Sequence, residues 1–303
     1  MAKFIVTGGA GFIGSHVVDS LIAKGHEVHV VDIFLSGKRE NLNPKATLHQ
    51  VDIRDEKKLP AVFKGAAGIF HLAAQPRIQY SITHPRLTND INVTGTLNVL
   101  LAARDAGVPR VVYSASSSAY GSRHPMPLRE EMVPEPITPY SIQKLVGEKY
   151  CEMASRFYGL ETACLRYFNV YGPRQTTMAD GPYATVIGIF LGLREKGQPM
   201  PIVPDGQQRR DFTHVRDVAR ANLLAMASPN VGKGEVINIG TGKNYSILEV
   251  ADLIGGPRVF TEPRQGEVRE TLADISKAKS LLGWEPQISF EEGVAELKRQ
   301  HGL

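Results

Sequence analysis

A tyrosine and a lysine four positions apart, Tyr140 and Lys144, follow Pro139 in a stretch that reads as helix. That spacing stacks them on one helical face, and proline at the first helical position suits the start. An ammonium beside a phenol stabilises the phenolate. The pair therefore predicts a tyrosine pKa moved from its reference of about 10 toward neutrality, and a phenolate able to take a proton. Alone, such a pair is a common surface arrangement. It gains meaning from the apolar strand Arg110-Val111-Val112-Tyr113-Ser114-Ala115, which runs into Ser116-Ser117-Ser118-Ala119-Tyr120-Gly121. Hydroxyls at the carboxyl end of a central strand face a ligand crevice, where one can bind the substrate oxygen that Tyr140 deprotonates. Two of the four serines are expected to cap the turn.

A second set of chemistry-bearing residues opens the chain. Lys3-Phe4-Ile5-Val6-Thr7 is a short apolar strand, and Gly8-Gly9-Ala10-Gly11-Phe12-Ile13-Gly14 carries it through a glycine turn into a helix. Gly9, Gly11 and Gly14 satisfy G-x-G-x-x-G: one for the tight turn, one for approach of backbone to phosphate, one for helix against strand. The helix N-terminus then faces a pyrophosphate. Apolar positions along 12–24 form one face, Gly25 stops the helix, and a strand over 27–32 ends on Asp32. A carboxylate about 20 residues past the glycines accepts from the adenosine ribose hydroxyls and repels a 2′-phosphate, which favours NAD over NADP. Lys38 and Arg39 soften that preference, since either cation could hold a 2′-phosphate.

The 303 residues, 22% charged and 42% hydrophobic, have room for about two domains and a sizeable core. A scattered net charge of +4 does not describe a nucleic-acid surface, though it suits a diphosphate substrate. With strand at Lys3 and no apolar run of membrane length, the expectation is a cytoplasmic protein without leader or membrane span. Cys151 and Cys164 are expected to be buried reduced thiols. The nine histidines form no metal-binding spacing, so no metal is expected, and His71 at a strand end is expected to be packed and hydrogen-bonded.

Strands are expected at 3–7, 27–32, 47–51, 68–72, 110–115, 161–167 and 235–239, with helices at about 12–24, 88–106, 140–158 and 290–300. Alternation of this kind predicts an α/β fold, a Rossmann-type doubly wound parallel sheet with a smaller C-terminal substrate domain. The expected division is 1–168 for the dinucleotide domain, with a return at 235–239, and 169–303 mainly for the substrate domain. Two loop-rich stretches, 123–139 with its five prolines and 171–182, are candidate walls of the crevice.

Together these residues resemble the extended short-chain dehydrogenase/reductases and, within them, the nucleotide-sugar 4-epimerases. The likeness spans essentially the whole chain. It rests on Thr7-Gly8 through Gly14, Asp32, Asp52-Ile53, His71-Leu72-Ala73-Ala74, Asn92-Val93-Thr94-Gly95-Thr96 and the serine strand. Tyr140 to Lys144, Arg166-Tyr167-Phe168-Asn169-Val170-Tyr171-Gly172-Pro173 and Arg210-Asp211-Phe212-Thr213-His214-Val215 complete it.

The resemblance implies Ser116 as catalytic hydroxyl, Tyr140 as base and Lys144 as the group that tunes it and holds the nicotinamide ribose. It implies cofactor contacts from Gly8, Gly11, Phe12, Ile13, Gly14, Asp32, Asp52, Ile53, Ala73, Ala74, Asn92 and Ser114, with Asp52 and Ile53 at the adenine. Substrate contacts are implied for Ser116, Ser117 and Tyr140, for Asn169, Arg210 and Arg264 at the diphosphate and nearby hydroxyls, for Glu267 at the uridine ribose, and for Thr271. The implied reaction is NAD-dependent 4-epimerisation of a UDP-hexose through a 4-keto sugar. Related dehydratases carry Asp-Glu where this chain has Ser117-Ser118, and related decarboxylases tend to carry a glutamate there. Thr271 stands where a tyrosine in some epimerases closes the pocket against a 2-acetamido group, which implies activity on UDP-N-acetylglucosamine as well as UDP-glucose. A UDP-glucuronate 4-epimerase is the alternative, and a non-reacting NAD(P) sensor is disfavoured by the retained Ser116, Tyr140 and Lys144. A homodimer is expected through helices 88–106 and 140–158, on Leu97, Leu100, Leu101, Val146 and Tyr150.

Overall fold

A computed structural model describes residues 1–178, 184–262 and 268–303. In chain order the first half comprises β1 (Lys3–Thr7), α1 (Phe12–Ala23), β2 (Glu27–Val31), β3 (Thr47–His49), α2 (Leu59–Phe63), β4 (Gly68–His71), α3 (Ile78–Thr83), α4 (Pro85–Asn89), α5 (Gly95–Asp105), β5 (Arg110–Ser116), α6 (Pro139–Tyr158) and β6 (Glu161–Tyr167). The second half comprises β7 (Val170–Tyr171), α7 (Val186–Glu195), β8 (Met200–Ile202), β9 (Arg209–Arg210), β10 (Thr213–His214), α8 (Val215–Ala227), β11 (Lys233–Ile239), β12 (Tyr245–Ser246), α9 (Ile247–Ile254), β13 (Arg258–Phe260), α10 (Ser276–Leu282) and α11 (Phe290–Gln300).

Seven strands form one sheet in the order β11-β6-β5-β4-β1-β2-β3, every neighbouring pair parallel. All seven lie where strands were expected. The chain reverses its direction across the sheet between β1 and β4, and it is outside the carboxyl ends at such a switch point that a doubly wound sheet binds ligands. Period-two alternation sends Ile5 to one face and Val6 to the other. On one face α1, α8 and α10 pack with Trp284; on the other α2, α5 and α6 pack around Tyr113, Cys151 and Cys164.

The expected helix 88–106 is divided: it begins at the end of the short α4, passes through one wider π-type turn, Asp90–Thr94, and continues as α5, with the short α3 before it. A smaller lobe has its own apolar cluster around Phe190, Ile202, Phe212, Ile254, Phe290 and Leu297, with Phe212 and Phe290 stacked at 4.9 Å. It lies wholly beyond residue 168, but α8, β11 and α10, also beyond 168, pack with the main sheet. Among the described residues no helix is long and apolar enough to cross a membrane.

Helix α6 decides where the chemistry sits. Thr138 caps it, accepting from the Ser141 amide, Pro139 occupies its first turn, and Gly159 ends it in the left-handed conformation at φ 65°. Glu148 on α6 and Arg166 on β6 pair through two hydrogen bonds of 2.8 and 2.7 Å, their side chains 3% and 2% exposed. Such a pair is satisfied only while both partners remain. Glu148→Ala is therefore expected to cost about 3–5 kcal/mol of stability by leaving a buried guanidinium uncompensated, read from the urea midpoint; a loss below about 1 kcal/mol would show the pair to be dispensable.

Candidate active site

The glycine turn leaves no room for side chains. A Cβ on Gly14 would lie 2.1 Å from the Gly8 carbonyl oxygen, and one on Gly8, which sits at φ +72°, would lie 2.7 Å from the Ala73 nitrogen. Gly11 is the residue before α1 and offers no side-chain cap, and the first turn of α1 holds no acidic residue. Amides at the start of α1 are thus left for an anion. Asp32, just past β2, is 9% exposed and accepts from the Ala10 and Phe34 amides at 3.0 and 2.7 Å. Burial pushes its pKa up while these amide bonds oppose the rise. Arg39 lies over the Phe34 ring at 4.4 Å and donates to Gln50, so its guanidinium is engaged within the loop. A close-packed glycine cradle, an uncapped helix start and a fixed carboxylate fit a dinucleotide.

A cavity of about 730 Å³ begins at this turn and runs along the carboxyl ends of the strands. It is lined by Gly8, Gly11, Phe12, Ile13, Gly14, Asp32, Asp52, Ile53, Ala73, Ala74 and Ser114 from the expected cofactor set. Ser116, Ser117, Tyr140, Lys144, Asn169, Arg210 and Thr271 complete the expected residues on its wall. Asn92 lies behind that wall. It sits in the π-type turn, accepts from the Gln75 amide at 2.7 Å, and donates to the Gln75 carbonyl and to Gln143, so it shapes the loop that carries Ala73 and Ala74. Asp52 lines the cavity with its carboxylate held by Arg54, which donates to it at 2.6 Å and keeps its pKa low. Arg264 and Glu267 lie outside the described residues.

Ser116 ends β5. Its hydroxyl accepts from the Ser118 amide at 3.2 Å and pairs with the Ser118 hydroxyl at 2.9 Å, so it both caps the following turn and faces the cavity. Its hydroxyl also favours the phenolate form of Tyr140. That effect is outweighed by burial, and the Tyr140 pKa is pushed up to about 12. Lys144 is 3% exposed, donates to the Ser114 carbonyl at 2.6 Å and lies 4.9 Å from the centre of the Tyr113 ring. Burial brings its pKa down to about 8. The expectation of a phenol lowered by the lysine is therefore corrected for the protein alone: desolvation dominates both groups, and the ammonium is directed at a backbone carbonyl.

The supporting shell is polar and closed. His71 is 1% exposed, its ring nitrogens bonded to Thr7 Oγ1 at 2.7 Å and Thr96 Oγ1 at 3.0 Å, and burial takes its pKa down to about 3. It is the packed, hydrogen-bonded residue expected. Cys151 and Cys164 are buried free thiols. Asp211 is fully buried and accepts from Thr241 N, Thr241 Oγ1, Gly242 N and Ala273 N, which ties the loop after β9 to the segments at 241 and 273.

Residues given no individual role from the sequence also line the cavity, among them Arg77, Tyr167, Thr176 and Thr185. Arg77 donates to Thr176 Oγ1 at 2.8 Å, joining the loop after β4 to the loop after β7. Its only sequence signal is a cation shortly after His71-Leu72-Ala73-Ala74. Among the described lining residues the only carboxylates are Asp32 and Asp52, both at the dinucleotide end. No group of three or more His, Cys, Asp or Glu among the described residues could hold a metal ion.

Comparison with known proteins agrees with this geometry. The model of the NAD dependent epimerase/dehydratase family matches residues 4–240. The chain is 35% identical to the UDP-glucuronate 4-epimerase of Thermodesulfobacterium geofontis, over 97% of this chain and 94% of that one. The crystal structure of a UDP-glucose 4-epimerase from Thermotoga maritima with UDP-glucose is 41% identical and superposes with a TM-score of 0.94, covering 99% of this chain and 100% of that one. The UDP-N-acetylglucosamine 4-epimerase of Methanobrevibacter ruminantium in complex with UDP-N-acetylmuramic acid is 35% identical with a TM-score of 0.92, covering 99% of each chain. Match length, identity and geometry lead to one conclusion: the chain belongs to the NAD dependent epimerase/dehydratase family.

Proposed function

We propose that this protein is an NAD-dependent UDP-sugar 4-epimerase that interconverts UDP-glucose and UDP-galactose and also the N-acetylated pair. One observation carries the reading: Ser116, Tyr140 and Lys144 share a cavity with the dinucleotide turn, and no carboxylate stands beside them among the described lining residues. Elimination of water needs an acid and a base beyond the tyrosine, and Ser117 and Ser118 supply neither. Inversion through a ketone needs only the tyrosine and a hydride acceptor.

NAD, when bound in the cavity, would supply the hydride acceptor and donor for the sugar C4. The chain's own groups handle the proton. Tyr140 receives it from the 4-hydroxyl and gives it back, while Ser116 holds the phenol and the substrate oxygen in line. Lys144, one turn along the same face, holds the ribose and adds positive charge beside the phenolate. Small side chains at Ser117, Thr176, Thr185 and Thr271 leave volume for the ketone to turn. Gly8 to Gly14 and the start of α1 hold the pyrophosphate, and Asp32 the adenosine ribose. Arg210, Arg264, Glu267 and Asn169 serve the substrate nucleotide, with Arg suited to phosphate by its planar fork.

A uronic acid sugar is the second reading, favoured by the Arg77 cation on the cavity wall. We further infer a homodimer through α5 and α6. Leu97, Leu101, Val146 and Tyr150 are half-buried and Ile142 is exposed, whereas Leu100 is fully buried in the core and takes no part.

Tyr140→Phe is expected to lower interconversion of UDP-galactose and UDP-glucose by about 10²–10⁴-fold with NAD content retained; parental rates in a folded, NAD-loaded variant would refute the role. Thr271→Tyr is expected to lower turnover of UDP-N-acetylglucosamine at least about tenfold relative to UDP-glucose, and an unchanged ratio would remove the volume argument. UDP-glucuronate in the same panel decides the second reading.

The Lys144 pKa, lowered from 10.5 to about 8 in the fold, also has a stability signature. Between these values the unfolded chain holds a proton that the folded chain has released, so stability rises with pH across that window. The unfolding free energy of the ligand-free wild type relative to Lys144→Met is expected to be flat below pH 8 and to move in favour of wild type from pH 8 to 10.5. A difference that stays flat in chemical denaturation would contradict the burial argument.

A further inference from the structure

Arg166 stands in β6 among buried neighbours, its own side chain 2% exposed. It commits two nitrogens to Glu148, Nε donating to Oε1 at 2.8 Å and Nη2 to Oε2 at 2.7 Å. The third nitrogen, Nη1, is buried and has no hydrogen-bond partner among the described residues. A desolvated donor without an acceptor is costly. The structure offers it a different partner: the guanidinium carbon lies 4.4 Å from the centre of the Tyr120 ring, and the face of an aromatic ring attracts a cation more strongly where water is excluded.

Tyr120 is itself fixed. It is fully buried, and its phenol donates to Asn238 Oδ1 at 2.7 Å. The Asn238 amide is oriented in turn by its Nδ2, which donates to the Leu128 and Asp274 carbonyls at 3.0 and 3.3 Å. Tyr120 also closes the single turn Ser117–Tyr120, which the Ser116 hydroxyl caps at its start. From the other side the Glu135 amide holds this turn, donating to the Ala119 carbonyl at 3.0 Å. Glu148 lies two turns past Tyr140 on the same face of α6. One guanidinium therefore meets both the turn that begins at Ser116 and the helix that carries Tyr140.

We propose that Arg166 is a positioning residue, whose guanidinium, clasped between Glu148 and the face of Tyr120, sets the Ser116 hydroxyl against the Tyr140 phenol. The inference rests on the epimerase reading above and adds the group that keeps its two proton-handling side chains in register. Arg166 acts from behind the site: among the described lining residues the cavity wall includes neither it nor Glu148 nor Tyr120. Compensating the buried charge of Glu148 needs only the two hydrogen bonds. Bracing the turn needs the remaining side of a planar fork, which a lysine ammonium, a compact point charge, does not present. Because the Ser116 hydroxyl favours the phenolate at 140, displacing it has a titration signature. Tyr113 and Tyr167 are the other phenols near enough to repel that phenolate, and Lys144 shares its helix face; the substitutions below leave all three in place.

The test compares NAD-loaded wild type with Tyr120→Leu, Tyr120→Phe and Arg166→Lys for interconversion of UDP-galactose and UDP-glucose across pH. Tyr120→Leu removes the ring and leaves the buried ion pair intact, so it decides the matter even if Arg166→Lys does not fold. Tyr120→Phe keeps the ring and removes only the hydroxyl. Tyr120→Leu and Arg166→Lys are each expected to lower kcat about ten- to hundredfold with KM within about twofold of wild type, since misplaced reacting groups are felt in the chemical step. The limb along which kcat rises with pH is expected to move up by about half a unit or more as the phenolate loses support from Ser116. Tyr120→Phe is expected to keep at least about fivefold more kcat than Tyr120→Leu, because the ring face remains. The double variant Tyr120→Leu with Arg166→Lys is expected to fall no more than about twofold below the weaker single one, as coupled neighbours do. Folded, NAD-loaded Tyr120→Leu with wild-type kcat and pH limb, whatever its melting temperature, reduces the contact to stability and overturns the positioning role while the epimerase reading stands. Tyr120→Phe falling as far as Tyr120→Leu places the effect in the hydroxyl and overturns the role as well. Wild-type protein that holds NAD and interconverts no UDP-sugar overturns that reading and this inference together.

Discussion

Helix α6 has to lie flat on β5 and β6, and Gly147 is what allows it. A Cβ at this position would fall 2.2 Å from the Tyr113 hydroxyl oxygen, inside any tolerable contact. With the helix seated, the turns on either side of Gly147 reach different parts of the sheet. Lys144 reaches the Ser114 carbonyl at the end of β5, and Glu148 reaches Arg166 on β6. Tyr140, one turn before Lys144, is then delivered to Ser116. A larger residue at 147 would have to displace the buried Tyr113 ring or lift the helix that carries Tyr140 and Lys144.

Close seating has an electrostatic cost that the site uses. Excluding water raises the phenol and lowers the ammonium, so the two groups proposed above to handle the proton are displaced from their ordinary ranges in opposite directions. In a medium of low polarity each is highly responsive to added charge. A phenol at about 12 held by a hydroxyl is a poor base until positive charge arrives beside it.

The centre of the sheet was legible because β4, β5 and β6 are buried on both faces and read as largely apolar runs. Glycine geometry and Asp32 were legible for a similar reason: they lie within one local unit, where spacing determines position. What sequence could not reach were pairings between distant segments. Asn169 and Thr271, or Arg77 and Thr176, carry no periodicity that links them, and only the fold brings them together. The Tyr140 pKa was misjudged for a related reason: spacing gives the neighbour, but burial, which outweighs it, is a tertiary property. Asn92 was found by its motif, yet the motif says nothing of the π-type turn that directs its amide at Gln75 and Gln143. The short α3 and α4 were missed because each is too brief for a helical period to show.

The last strand of the main sheet, β11, arrives after the chain has already built much of the smaller lobe, and it covers the outer side of β6. Six of the seven residues of β6 are buried. Cutting the chain at the apparent end of its first half would strip that cover and leave an apolar edge strand with unpaired amides and carbonyls, the template on which aggregation begins. The two lobes are thus inseparable by simple truncation. Any attempt to isolate or graft the dinucleotide-binding half has to bring the segment around 233–239 with it, or replace it with a charged or proline-bearing edge.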